Sequence, residues 1–262
     1  MGDVLKKKKI LVTRPQDQAE KLCALIEAQG GQAIRLPVIE VRPVQENNVL
    51  QGLLSNLSAY QIGIFISRNA VKYTLALLHH DIDVLGHLKL VATGQATASL
   101  LKQSGIAEVC HAGSYAESEA LLQLPVLQSS QVAGRNIIIF RGTGGRELLA
   151  EKLRARGARV DYAEIYERLP VRYEKAVLDD IWFNQKPDFI VASSGEGLQN
   201  LFDMLSSEQR VIMLDTDLVV FGKRMSDLAL KLGFRKVPSI ADEMSDAGLF
   251  RAIMQHTGEK FS

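Results

Sequence analysis

The chain has 262 residues, 47% of them apolar, which exceeds the usual size of one domain and supplies enough apolar side chains for two cores. Lys and Arg number 31 against 30 Asp and Glu, and a net charge of +1 excludes wholesale electrostatic capture of nucleic acid or of a membrane surface. Two distant cysteines, Cys23 and Cys110, exclude a disulfide framework or a zinc knuckle and fit a reducing cytoplasm.

In chain order, the run Lys6-Lys7-Lys8-Lys9 leads into Ile10-Leu11-Val12, an apolar stretch too short for the core of a signal peptide. No later segment reaches the roughly 18 apolar residues of a membrane-spanning helix. Short β-branched runs then alternate with helical patterns, the signature of parallel sheets with crossover helices. Strands are predicted over 10–13, 32–36, 62–66, 88–93, 136–141, 159–163, 188–192 and 218–221, and helices over 16–29, 69–79, 97–103, 146–156 and 197–205. Gly30, Gly105, Gly157 and Gly233 follow helical segments, where a residue free to adopt the left-handed conformation caps the last turn.

The pattern is duplicated. Arg14 matches Arg141, Gly30 matches Gly157 and Pro43 matches Pro170, all at an offset of 127 residues. A second unit repeats likewise: Ile64-Phe65-Ile66-Ser67 returns as Ile190-Val191-Ala192-Ser193, Gly94 as Gly222 and Gly105 as Gly233. Two copies of one α/β domain explain this better than one large sheet. The stretches 37–43 and 163–170 each follow a strand, favour extended structure and end at a proline, which marks them as connectors between domains.

Several short motifs, in order, carry a resemblance over essentially the whole chain. They are Leu11-Val12-Thr13-Arg14-Pro15, Phe65-Ile66-Ser67-Arg68-Asn69-Ala70-Val71, Ala92-Thr93-Gly94-Gln95-Ala96-Thr97-Ala98, the Arg141-Gly142 turn, Tyr166-Glu167-Arg168 and Ala192-Ser193-Ser194. Together they resemble the uroporphyrinogen-III synthase family. The resemblance implies two similar α/β domains with parallel sheets and flanking helices, joined by a two-stranded antiparallel connector. One domain would combine residues 1–36 with 171–262, the other would span 43–165, and the connectors would be 37–42 and 166–170. It also implies a cofactor-free, metal-free enzyme that cyclises hydroxymethylbilane with loss of water and inversion of ring D, on the route to heme and siroheme. A cytoplasmic monomer is expected, with a small-molecule tetrapyrrole as partner and neither nucleic acid nor membrane.

Such a substrate is a flexible polycarboxylate, and helix N-termini bind anions through free N–H groups without many lysines. The candidate turns follow predicted strands, where open α/β sheets place their ligands. They contain Arg14; Ser67, Arg68 and Asn69; Gly94, Gln95 and Thr97; Arg141, Gly142, Thr143 and Gly144; Ser193, Ser194 and Gly195; and Gly222 and Lys223. Small and hydroxyl residues at such turns serve equally as helix caps, so residue type alone leaves both roles open. Arg14, Arg68 and Arg141 have the fork geometry that grips a carboxylate. Tyr115, Ser118 and Glu119 resemble the family's substrate-facing loop, with a helix cap as the other reading of Ser118. Gly222-Lys223-Arg224-Met225 departs from the family's usual small hydroxyl-bearing turn.

Departure of hydroxide requires a proton donor and a groove that holds the bilane curled. Tyr166 matches the family's connector tyrosine and is the candidate donor; the other reading is a tyrosine packed at the hinge. Its counterpart in the repeat is Ile39, so a connector does not itself require a phenol. The five histidines show no ligand spacing, and no Gly-x-Ser-x-Gly elbow occurs. A dinucleotide-binding reading of Arg141-Gly142-Thr143-Gly144-Gly145-Arg146 meets Glu147 where the third fingerprint glycine belongs, and a carboxylate there opposes a pyrophosphate. A bilobed small-molecule sensor is the non-enzymatic alternative, although no effector segment is evident before Lys6 or after Ser262.

Overall fold

In the computed structural model, which describes residues 4–45, 47–113 and 118–256, short strands alternate with helices from Lys9 to His256. The first stretch runs β1 (Lys9–Val12), α1 (Gln16–Glu27), β2 (Gln32–Arg35), β3 (Ile39–Pro43), α2 (Asn48–Ser55), β4 (Ile62–Phe65), α3 (Arg68–Leu77), β5 (Lys89–Ala92), α4 (Gln95–Gln103) and β6 (Cys110–His111). It continues through α5 (Ser118–Leu121), α6 (Ser129–Val132), β7 (Asn136–Gly142), α7 (Leu148–Ala155), β8 (Arg159–Pro170), α8 (Lys175–Asp179) and β9 (Phe189–Ala192). The last elements are α9 (Gly195–Met204), α10 (Ser207–Asp215), β10 (Asp217–Val220), α11 (Gly222–Leu232), β11 (Ser239–Ile240) and α12 (Asp246–His256).

The chain divides into two compact units, one made of residues 1–40 and 169–262, the other of 41–168. In the first, the strands lie in the order β11-β10-β9-β1-β2, all parallel. In the second the order is β3-β8-β7-β4-β5-β6, parallel from β8 to β6. Matching β1, β2, β9, β10 and β11 to β7, β8, β4, β5 and β6 gives one strand order in both, with the chain entering it at different points. The order is that of a doubly wound sheet whose switch point lies between the matched pairs β1/β9 and β7/β4.

Alternation along the strands divides the core. In the second unit Ile138, Phe140, Phe65 and Leu90 enter one cluster, while Ile137, Ile139, Ile62, Ile64 and Val91 enter another on the opposite face. Phe65 and Phe140 stack with ring centroids 4.4 Å apart. In the first unit Ile10, Val12, Val191 and Val219 pack with α1 and α12 residues Leu22, Ile26, Leu249 and Ile253. Strands covered on both faces read as continuous apolar runs, which is why these were legible. Gly30, Gly105, Gly157 and Gly233 all have positive φ at helix ends, as expected.

Two differences from the sequence reading have physical causes. Strand β8 runs on to Pro170 rather than ending near Ala163. Its second edge is taken by β3: Val44 N–H donates to the Ile165 carbonyl at 3.3 Å and Arg42 pairs with Glu167 at 2.8 Å, an antiparallel register that keeps the backbone bonded beyond the end of β7. Strands β6 and β11 have two residues each, too few to show a period of two.

Candidate functional site

In the second unit the turns that follow β4, β5 and β7 lie at the carboxyl ends of parallel strands. Ser67 caps α3 by accepting the Ala70 N–H at 3.0 Å, and Arg68 and Asn69 open the helix, Arg68 exposed. Gly94 is the N-cap of α4 with no side-chain cap; Thr97 is buried in the first turns, and Gln95 is exposed, its amide bonded to Ser99. The Gln95 N–H donates to the Gly113 carbonyl at 3.1 Å.

Tyr166 joins two of these turns. Along β8, Ala163 and Ile165 face the α3 side of the sheet, so regular alternation would turn Tyr166 to the other side. The register instead shifts at Arg141/Gly142, which pairs Gly142 with Tyr166 rather than Ile165. A bulge re-aims a side chain in this way, and Ile165 and Tyr166 consequently enter the same cluster. The ring, 4% exposed, lies so close to Gly142 that a Cβ there would be 2.6 Å from Cε2 and 2.8 Å from Cζ. Only glycine permits this approach. The Tyr166 hydroxyl is 3.0 Å from Ser67 Oγ, its carbonyl accepts the Thr143 N–H at 2.8 Å, and its ring stacks on Tyr73 at 5.9 Å.

Arg141 points into its own loop. It is 3% exposed, pairs with Glu147 at 3.1 Å, donates to the carbonyls of Gly142 and Gly144, and lies 4.4 Å over the Tyr162 ring. The Tyr162 hydroxyl donates to Glu147 at 2.6 Å. Burial, then that bond, pushes the phenol up to about 12, while Tyr162 and Arg141 hold the Glu147 carboxyl below its ordinary range. Thr143 and Gly144 are exposed, and the Gly144 N–H is taken by Glu164 at 3.1 Å. The guanidinium thus shapes the 142–147 loop. A carboxylate at the N-cap of α7 also disfavours a pyrophosphate there.

In the first unit Thr13 donates to the Val191 carbonyl at 2.8 Å, which ties the turn after β1 to β9. Arg14, with 14% of its side chain exposed, forms an ion pair with Asp246 at the start of α12, and its Nε is buried without a partner among the described residues. Ser194 caps α9 by accepting the Gly197 N–H at 3.0 Å, and Ser193 and Gly195 flank it. Gly222, at φ 75, opens α11 beside Lys223, which is exposed and pairs with Asp227 at 3.1 Å. No side chain caps α1 or α11. The contact of Asp246 with Arg14 was missed from sequence, because the two residues lie 232 positions apart and the two-residue β11 before α12 shows no alternation.

Of the loop around 115–119, Tyr115 and the Ser118 side chain lie outside the described residues, and Glu119 is exposed in α5. Among the described residues no group of three His, Cys, Asp or Glu side chains is placed to hold a metal ion, and no helix is long and apolar enough to cross a membrane.

Fold and turns together define a duplicated doubly wound α/β protein with polar turns at the carboxyl ends of the parallel strands of both units and a phenol–hydroxyl pair at one of them. The family model described as Uroporphyrinogen-III synthase HemD matches residues 20–251. Uroporphyrinogen-III synthase of Escherichia coli (strain K12) is 33% identical over 246 residues, covering 93% of this chain and 99% of that protein. The Salmonella typhimurium protein of the same name is 34% identical with the same coverage. The chain belongs to the uroporphyrinogen-III synthase family. The fold is shared with uroporphyrinogen-III synthetase from Helicobacter pylori 26695, at 12% identity and a TM-score of 0.65 over 95% of this chain and 99% of that one. It is shared too with a mutant uroporphyrinogen III synthase from Thermus thermophilus, at 18% identity and a TM-score of 0.63 over 95% and 98%.

Proposed function

We propose that this chain cyclises hydroxymethylbilane with loss of water and inversion of ring D, giving uroporphyrinogen III, and does so without a cofactor. Family membership supports the overall reaction, and the observation that carries the chemical reading is the Tyr166 phenol, set over Gly142 and bonded to Ser67 at the switch point of the second unit. Hydroxide leaves a pyrrolic methylene as water once a proton reaches it, and the resulting azafulvene cation is attacked by the far ring at its substituted carbon. A spiro intermediate then allows that ring to invert. Tyr166 is the source of the proton, and the turns hold the chain in the reactive curl.

Each unit offers groups suited to carboxylates: Arg14, Lys223 and the helix N-termini at Ser193 to Gly195 and Gly222 in the first, Arg68 and the helix N-termini at Asn69 and Gly94 to Thr97 in the second. Arg141 acts through the loop it folds, which leaves the Thr143 side chain exposed while Glu164 and Arg141 occupy the Gly144 N–H and carbonyl. These groups reconcile an anionic substrate with a net charge of +1. The enzyme works as a monomer on a small-molecule tetrapyrrole in the cytoplasm, a setting that suits two unpaired cysteines. A coupled assay with freshly made hydroxymethylbilane, resolving the isomers, tests the reading. Unassisted closure gives the type I isomer; excess type III is expected, and type I alone would overturn the proposal.

A further inference from the structure

Resting on Tyr166 as the proton source, we infer that Ser67 is the group that hands the proton to the leaving oxygen, so that the phenol acts through a two-hydroxyl relay. A serine hydroxyl has one proton and two lone pairs. Ser67 Oγ already accepts the Ala70 N–H at 3.0 Å, and the Tyr166 hydroxyl lies 3.0 Å away. Tyr166 is 4% exposed, enclosed by Gly142 and Tyr73, whereas Ser67 is only partly buried. If the phenol donates to Ser67, both lone pairs of the serine are filled and its own proton is left to donate outward. The reverse arrangement would leave the phenolic proton facing a closed core. The N-terminus of α3 adds a partial positive charge beside Ser67, which eases proton release from its oxygen.

In the step, the hydroxymethyl C–O bond breaks and its oxygen keeps the electron pair, takes the Ser67 proton and departs as water. Ser67 takes the Tyr166 proton, leaving a phenolate, while the pyrrole nitrogen lone pair moves into the ring to form the azafulvene cation. After attack and inversion, the ring proton lost on rearomatisation returns through Ser67 to the phenolate.

The repeat provides a contrast within the chain, because Ser194 caps α9 as Ser67 caps α3, while the residue matched to Tyr166 at the 127-residue offset is Ile39, which has no hydroxyl. The test is a double-mutant cycle on single-turnover rates with hydroxymethylbilane. Ser67→Ala should slow the step by about as much as Tyr166→Phe, on the order of tenfold or more, and the double variant should be no slower than either single one. Ser67→Thr, which keeps a hydroxyl and the cap, should retain the rate. Ser67→Asn, which keeps the cap but cannot relay a proton, should stay slow. The solvent deuterium effect should show a curved proton inventory in the wild type. A normal rate in Ser67→Asn, or additive losses in the double variant with Tyr166→Phe impaired, would overturn the relay while leaving Tyr166 as donor. A Tyr166→Phe rate equal to wild type would remove the underlying reading instead.

Discussion

The two units share one strand order and one set of strand-end turns, yet they differ at the positions where chemistry is possible. In the second unit a bulge turns Tyr166 onto Gly142 and beside Ser67; in the first, the 127-residue offset sets Ile39 and Pro15 against Tyr166 and Gly142, and the N-cap equivalent to Ser67 is Ser194. The matched arginines diverge as well. Arg141 is consumed by its own loop, whereas Arg14 pairs with Asp246 and retains a buried donor without a partner among the described residues. Among the described residues the two units therefore share their strand-end turns, while the phenol set over a glycine beside a capping serine is found in the second. A doubly wound sheet readily supplies positions for ligand groups, because helix N-termini recur after every strand, but placing a phenol on this face took a local exception to the pleat.

The largest change should come from filling the space on which that exception depends. Gly142→Ala places a methyl group against a ring that is 4% exposed, and the overpacking should cost about 1–3 kcal/mol. Thermal melting would read this, and turnover should fall further than stability alone explains because the ring is displaced from Ser67. Unchanged melting and turnover would erase the distinction between the units at this position.

Arg14→Ala probes the other side of the comparison. If Arg14 binds a carboxylate and takes no part in the chemistry, KM should rise by about tenfold, the equivalent of one charged hydrogen bond, while the single-turnover rate at saturation stays close to wild type. A loss confined to that rate would place Arg14 in the chemistry and contradict its reading as a binding residue.

The smallest effect lies at alkaline pH. Burial first, then hydrogen bonds to Asp161 and Glu147, raise Tyr60 and Tyr162 from 10.0 to about 12. A phenol raised on folding stabilises fully below its unfolded value and loses that contribution as pH climbs through the folded one. The melting difference between the wild type and Tyr60→Phe or Tyr162→Phe should therefore be constant below pH 10.0 and shrink as pH approaches about 12. A difference unaffected across that window would mean these second-unit phenols titrate alike in folded and unfolded chains.

The α/β class and the internal repeat were legible because strands buried on both faces, such as Ile137 to Phe140, leave dense apolar runs, and because glycines mark the helix ends. Ser67 and Ser194 were recognisable as turn residues, although only the folded chain separates caps from exposed groups. The bulge was not legible. Nothing in Arg141-Gly142 or Ile165-Tyr166 signals a register shift, which lies at the end of β7, where β8 runs on along β3. The burial of Arg141 was equally hidden, because its partners Glu147 and Tyr162 come from separate elements and residue type alone suggests a ligand-binding fork. Asp246 lies 232 residues from Arg14, beyond any local pattern.

Tyr166→Phe tests the central claim most directly, because it removes one hydroxyl and keeps the ring that fills the space above Gly142. Single-turnover measurements with freshly made hydroxymethylbilane should show a fall of about 10- to 100-fold, toward the lower end for general-acid assistance, with little change in KM and type III still the main product. A folded variant that turns over at the wild-type rate would contradict the claim and leave Tyr166 a packing residue.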